Sequence, residues 1–385
     1  MTHPVPLTMP AEWEQQSAIW LSWPHNRETW PENLRAAQRE FFNLVEAIAA
    51  TERVMVMVDF AQSGPAVKTM RGWKNVTCVD IPTNDAWARD YAPTFAIDSR
   101  GELVAVDWRY NAWGGKYPPY DLDQQVAKRV ADYLGISHAS PQFCFEGGAI
   151  EVNDRGVLLC TRSCALNPNR NPGLQLSQVE SILKQYLGVK ICIWLTGNAI
   201  EGDDTDGHID QIARFVNPTT IVVATEGGNK RSRSEGIKQN RKELRDQLDF
   251  HGLEDYQLVA LPLPGPFTFC GRAIPASYCN FLITNELVLV PQFGVDEDGQ
   301  ALQILSPLFP GRKIVGLPSK NLAVGLGSFH CLSQQQPKKS KNILKYLEVA
   351  LLLLLLLLVA LGVLRLLGTH MVDELAVQVI GFYAG

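Results

Sequence analysis

The chain has 385 residues, 46% of them hydrophobic, which is enough to bury one large core or two smaller ones. Its formal net charge of −5 argues against nucleic acid as the main partner and suits an enzyme that draws in a cationic substrate. The eight cysteines are scattered, and the start MTHPVPLTMPAEWEQQ has neither a basic n-region nor an apolar h-region. Reduced thiols in a cytoplasmic protein are therefore expected.

Along the chain, short β-rich runs alternate with helix-like segments. Strands are predicted at RVMVMVDF, NVTCVDI, LVAVDWRY, GVLLCT, VKICIWL, IARFV, TIVVAT, NFLITNELVLV and KIVGL. Helices are predicted over 33–50, 123–134, 177–187, 236–249 and 299–309. Strands alternating with helices mean an α/β protein. No glycine-rich phosphate loop follows the first strand, so neither a dinucleotide site nor a P-loop finds support. The basic stretch EGGNKRSRSEGIKQNRKELR reads as a solvated helix face.

The composition changes after Pro337, which divides the chain into a body over 1–337 and a tail over 338–385. The tail opens with the basic KKSK and becomes a leucine tract, Val349 to Leu364, without a charge. As a helix that tract is roughly 24 Å long, short of the ~30 Å bilayer core. Snorkelling of Arg365 would bring it nearer to spanning, and KKSK would keep the body cytoplasmic. The tail admits three readings: a membrane anchor, a helix packed on the body or a partner subunit, and a non-native extension.

Three polar clusters could carry chemistry. In NDAWARDYAPTF, Asp85, Arg89 and Asp90 precede a strand expected near Pro93, and an Arg89–Asp90 salt bridge is the plain structural alternative. In FCFEGGAIEV, Glu146 stands between Phe145 and two glycines, in company where a carboxylate is costly to bury unless paired. In EGDDTDGHID, His208 and Asp210 open a strand-like run, HIDQIARFV, in which residues two apart share a face. An imidazole beside a carboxylate suits proton transfer. Cys331, in GLGSFHCLSQQQP, has a glycine-rich approach and a polar exit that favour an accessible turn; as a lone thiol it could equally fill the core. CTRSC at 160–164 is a weak metal signal, and scattered His and Cys do not make a zinc set. Thiol, histidine and carboxylates together permit a cysteine hydrolase.

In order, MPAEWEQQSAIWLSWP, IPTNDAWARDYAPTF, NAWGGKYPPYD, FEGGAIEV, LNPNRNP, DDTDGHID, PASYCNF and GLGSFHCLSQQQP resemble the agmatine deiminase family of the guanidine-modifying pentein superfamily, over about residues 9–337. The resemblance implies a five-bladed α/β propeller with pseudo-fivefold symmetry, followed here by a hydrophobic helical tail. It also implies Cys331 as nucleophile, His208 as general acid/base and Glu146 as the carboxylate that orients and charges it. Asp90 and Asp210 would grip a guanidinium; Trp87 and Trp113 would line the pocket. The implied reaction deiminates agmatine through a covalent thiouronium, with no metal or other cofactor and possible homodimerisation. Deimination of peptidyl arginine is the alternative on the same fold, and a non-catalytic binding platform the alternative of another class. Three features depart from the family pattern: Ala92, where glycine is frequent and a methyl is tolerated only at negative φ, the stretch EGGNKRSRSEGIKQNRKELR, which is more basic than the resemblance implies, and the tail, which has no counterpart.

Overall fold

Five sheets repeat one strand pattern in the computed structural model, which describes residues 5–227, 235–339, 354 and 356–363. In each, an antiparallel pair is followed by a helix and then by a strand that returns parallel to the second of the pair. Leu103–Val106 pairs antiparallel with Thr94–Asp98 and parallel with Ser137–Ala139, and the helix Val126–Leu134 makes the crossover. The helices Leu176–Leu187, Glu235–Phe250 and Glu297–Leu305 play the same part in the sheets centred on Val157–Thr161, Thr220–Thr225 and Leu287–Gln292. The fifth unit joins the two ends of the body. Ser333–Pro337 pairs antiparallel with Gln16–Ser22, which continues through the helix Leu34–Ala49 to the parallel strand Val54–Val58. A parallel return requires a crossover, and the amphipathic helices supply it while closing one face of each sheet.

The five predicted helices form close to their expected bounds. NFLITNELVLV is not one strand but a hairpin, Leu282–Ile283 against Leu287–Gln292, with Thr284, Asn285 and Glu286 at the turn. The strand expected to open at His208 begins only at Ala213. Ile209–Gln211 is a 3-10 turn, so His208 and Asp210 are not related by strand alternation. Ala92 has φ −72° and ψ 160°, a conformation in which its methyl carries no strain.

The helix Glu235–Phe250 buries only Ile237, Asn240, Leu244 and Leu248, as expected of a solvated face; residues 228–234 of the basic stretch lie outside the described residues. The tail falls there too, apart from Lys338, Lys339 and positions 354 and 356–363, the last two groups being helical. Among the described residues no helix is long and apolar enough to cross a membrane.

Candidate active site

Each unit enters its first strand through a short turn, and these turns meet one another. The turns Ala88–Tyr91, Gly147–Ala149, Ile209–Gln211 and Tyr278–Asn280 come just before the strands beginning at Thr94, Glu151, Ala213 and Leu282. The fifth, at 329–332, precedes Ser333 and carries Cys331. Hydrogen bonds link four of the five neighbouring pairs. The Gly148 amide donates to Asp90 Oδ1 at 3.0 Å. Asn280 Nδ2 donates to Asp210 Oδ2 at 3.2 Å and to Cys331 Sγ at 3.1 Å. The Arg89 amide donates to the Cys331 carbonyl at 3.1 Å, returning to the first turn. Asp90, His208, Asp210 and Cys331 thus converge although up to 241 positions separate them.

Gly148 makes the convergence possible. A Cβ there would lie 2.5 Å from His208 Nδ1, 2.8 Å from Asp90 Oδ1 and 3.2 Å from Asp210 Oδ2. Only a residue without a side chain lets three functional groups approach from three turns.

His208 is fully buried, with Nδ1 3.7 Å from Asp90 Oδ1 and Nε2 3.5 Å from Glu146 Oε2. Neither ring nitrogen has a protein hydrogen-bond partner. Burial works against the imidazolium, but Asp90 and Glu146 outweigh it and raise the pKa well above the ordinary histidine value. Glu146 is also buried. Arg170 Nε reaches both its oxygens, at 2.8 and 2.9 Å, and brings the carboxyl down to about 2 against the cost of burial. It is therefore an anion at neutral pH and a fixed counter-charge to His208.

Asp90 takes a second hydrogen bond from Trp113 Nε1 at 2.9 Å. Burial, with Asp210 and Glu146 nearby, pushes its pKa up to about 6 despite His208. Trp113 holds that position from a left-handed backbone, φ 57°. Such a conformation is costly for a bulky side chain and is tolerated where the surroundings impose it. Asp210 is also buried, but hydrogen bonding to His330 brings its pKa below the ordinary value; its Oδ1 has no protein partner. Cys331 Sγ lies 3.6 Å from Asp210 Oδ2, and burial, Asp210 and Asp90 all push the thiol well above its usual range. It is protonated at neutral pH.

A cavity of about 740 Å³ opens onto Cys331 and Asp90, with Trp87, Tyr110 and Trp113 among its walls. His208, Glu146 and Asp210 are not among the residues that line it. At its edge Lys116 Nζ pairs with Asp206 at 2.9 Å, Tyr117 donates to Asp204, and Arg272 lies 3.6 Å from Asp204. All seven expected site residues therefore gather at this cavity or just behind it. The Arg89–Asp90 ion pair does not form: Arg89 donates to the His330 carbonyl at 3.2 Å and to Gln335 at 2.6 Å.

Sequence reasoning missed Asn280, Arg170 and His330. Asn280 and Arg170 stand within PASYCNF and LNPNRNP, but nothing local assigns them a partner. Among the described residues, two buried trios bring donor atoms within 4.8 Å of one another, Glu146–Cys164–His208 and Glu12–Glu151–His330. Each already holds a guanidinium, Arg170 in the first and Arg214 in the second, whose positive charge opposes a metal ion there. All eight cysteines are free.

The chain is similar to known proteins over most of its length. The family model for Porphyromonas-type peptidyl-arginine deiminase matches residues 8–337. A Yersinia pestis protein named provisionally as an agmatine deiminase is 37% identical over 350 residues, covering 86% of this chain and 95% of the relative. The structure of an Enterococcus faecalis agmatine deiminase superposes with a TM-score of 0.82 at 31% identity, covering 87% of this chain and 97% of that one. A Campylobacter jejuni agmatine deiminase with substrate bound gives 0.80 at 30% identity, with the same coverage. The structural likeness establishes the mixed α/β pentein fold. The chain belongs to the family of Porphyromonas-type peptidyl-arginine deiminases.

Proposed function

We propose that the protein is an agmatine deiminase, a hydrolase of the C–N bond of a linear amidine, releasing N-carbamoylputrescine and ammonia. One observation carries the mechanism: Asp90 and Asp210 stand beside the Cys331 thiol, with Asp210 Oδ2 3.6 Å from Sγ and His208 behind Asp90. A guanidinium is planar, cationic and rich in paired N–H donors, and two carboxylates can grip it along its edges. Its charge then offsets theirs, and the Cys331 proton leaves to solvent through the cavity, His208 being already protonated.

The thiolate attacks the guanidinium carbon and a tetrahedral adduct forms. His208, charged beside Asp90 and Glu146, gives its proton to the departing nitrogen, and ammonia leaves. A thiouronium remains on Cys331. Water, deprotonated by the now neutral His208, adds to the same carbon, and the C–S bond breaks to release the ureido product and the thiolate. Every step uses side chains of this chain and one water.

The cavity walls suit agmatine. Its far end is a primary ammonium, and Asp85 and Asp123 line the cavity with carboxyl oxygens that can accept from it, although burial raises both pKa values and so reduces their negative charge. The aromatic walls suit the butyl chain. Arginine derivatives are the second reading, because Arg27, Lys116 and Arg272 also line the cavity and could meet a carboxylate. Lys116 and Arg272 are, however, directed at Asp206 and Asp204. We further propose that the five units surround a common axis as a five-bladed propeller. Their repeated strand pattern and the meeting of their entry turns support that arrangement.

The test is ammonia release from purified protein offered agmatine, free arginine and a peptide with C-terminal arginine. Turnover of agmatine alone supports the reading; preference for the peptide moves the substrate while keeping the chemistry. Asp90→Asn should lower kcat/KM for agmatine by on the order of 2–4 kcal/mol, since it removes one charge-assisted clamp. Unchanged kinetics in this variant would sink its role in gripping the guanidinium.

A further inference from the structure

We infer that His330 is held as an imidazolium between Glu12 and Asp210, and that it is the positioning residue that keeps Asp210 anionic with Oδ1 free for the guanidinium. His330 Nδ1 is 2.7 Å from Asp210 Oδ2, and Nε2 is 2.9 Å from Glu12 Oε2. A neutral imidazole has one N–H and one bare nitrogen. With a neutral ring, one of these contacts would set a lone pair against a carboxylate oxygen unless that carboxyl held the proton. Two contacts at these distances need two protons.

Glu12 is a poor place for the second. Its Oε2 also accepts from Arg214 at 2.5 Å, and its Oε1 accepts the Ile283 amide at 2.9 Å. Arg214 and His330 hold this carboxyl well below the ordinary range, overcoming burial. Asp210 Oδ2 is likewise used as an acceptor, by Asn280 at 3.2 Å. The proton therefore belongs to His330.

The charged groups facing His330 are Glu12, Asp210, Arg214 and Arg89, with Glu151 on the far side of Arg214. Burial, Arg214 and Arg89 bring its pKa below the ordinary histidine value even against Glu12 and Asp210, and the geometry of the ring stands against that direction. The direct contacts decide, because hydrogen bonds to two carboxylates at under 3 Å are the shortest interactions the ring makes.

This assignment rests on the reading of Asp210 as a guanidinium clamp, so its test has a readout that needs no turnover. In the full chain labelled with ¹⁵N-histidine, both ring nitrogens of His330 should carry protons between pH 6 and 8, the signals being identified by their loss in His330→Asn. A bare ring nitrogen in that range overturns the inference. The Asn side chain retains a donor for Asp210 but no charge. Without the cation Asp210 ionises at a higher pH, so the acid limb of kcat/KM for agmatine should move up, with about a tenfold loss at pH 7. A folded His330→Asn protein with an unmoved acid limb overturns the positioning role. If the parent protein fails on every guanidinium, the proposed function falls, while the NMR result still decides the state of His330.

Discussion

Cys331→Ser should abolish deimination, with a loss of at least about 10³-fold in kcat, and leave the melting temperature close to that of the parent. The substitution changes one atom in a buried turn and keeps the hydrogen bonds of its backbone. Chemically it replaces a soft nucleophile by an alcohol that the site cannot ionise. Burial, Asp210 and Asp90 already hold the thiol well above its usual pKa. A hydroxyl, several units less acidic, gains far too little from a guanidinium lying between the same carboxylates. Ammonia release and thermal melting measured together make the check. Activity within tenfold of the parent would remove Cys331 from the bond-making step. The same electrostatics predict a pH dependence in the substrate-free protein: alkylation of Cys331 should be slow at pH 7 and accelerate as the pH rises, because only the thiolate reacts.

Gly148→Ala should lower kcat/KM by about 10²-fold or more, an effect expected when reacting groups are displaced by about 1 Å. The added methyl would lie 2.5 Å from His208 Nδ1 and 2.8 Å from Asp90 Oδ1. Both groups stand on short turns tied to their neighbours, so one turn must move. Overpacking of this kind costs about 1–3 kcal/mol of stability. Gly299→Ala is the control. It lies in the helix Glu297–Leu305 with nothing within 4 Å of a new Cβ, and should be neutral or stabilising by about 0.5–1 kcal/mol. A Gly148→Ala protein with parental kinetics would mean that the turns can part without disturbing the chemistry, and the convergence would lose its functional meaning.

These expectations separate local from long-range information. Amphipathic helices and apolar strands were legible because burial imposes a period on contiguous residues. The segment SQQQP was not legible as a strand because it has no apolar alternation. It is buried all the same: Gln334 donates to the Pro93 carbonyl at 2.7 Å, and Gln335 accepts from Arg89 at 2.6 Å. Hydrogen bonds offset the desolvation that would ordinarily keep such side chains in water. His208 and Asp210 were expected to meet by strand alternation; they instead occupy the start of a 3-10 turn, and the approach of Gly148 explains their closeness to Asp90.

By itself the sequence determined the residue types of the site, the α/β alternation and the motif order that marks the family, since each is a property of neighbouring positions. The tertiary structure alone decided which charges meet. Arg170 reaches Glu146 across 24 positions, Asn280 reaches Cys331 across 51, and Glu12 reaches His330 across 318. Protonation follows from these meetings rather than from residue type. Coulombic coupling falls with distance and strengthens where water is excluded, so two aspartates of the same site depart in opposite directions: Asp90 upward among carboxylates, Asp210 downward beside His330.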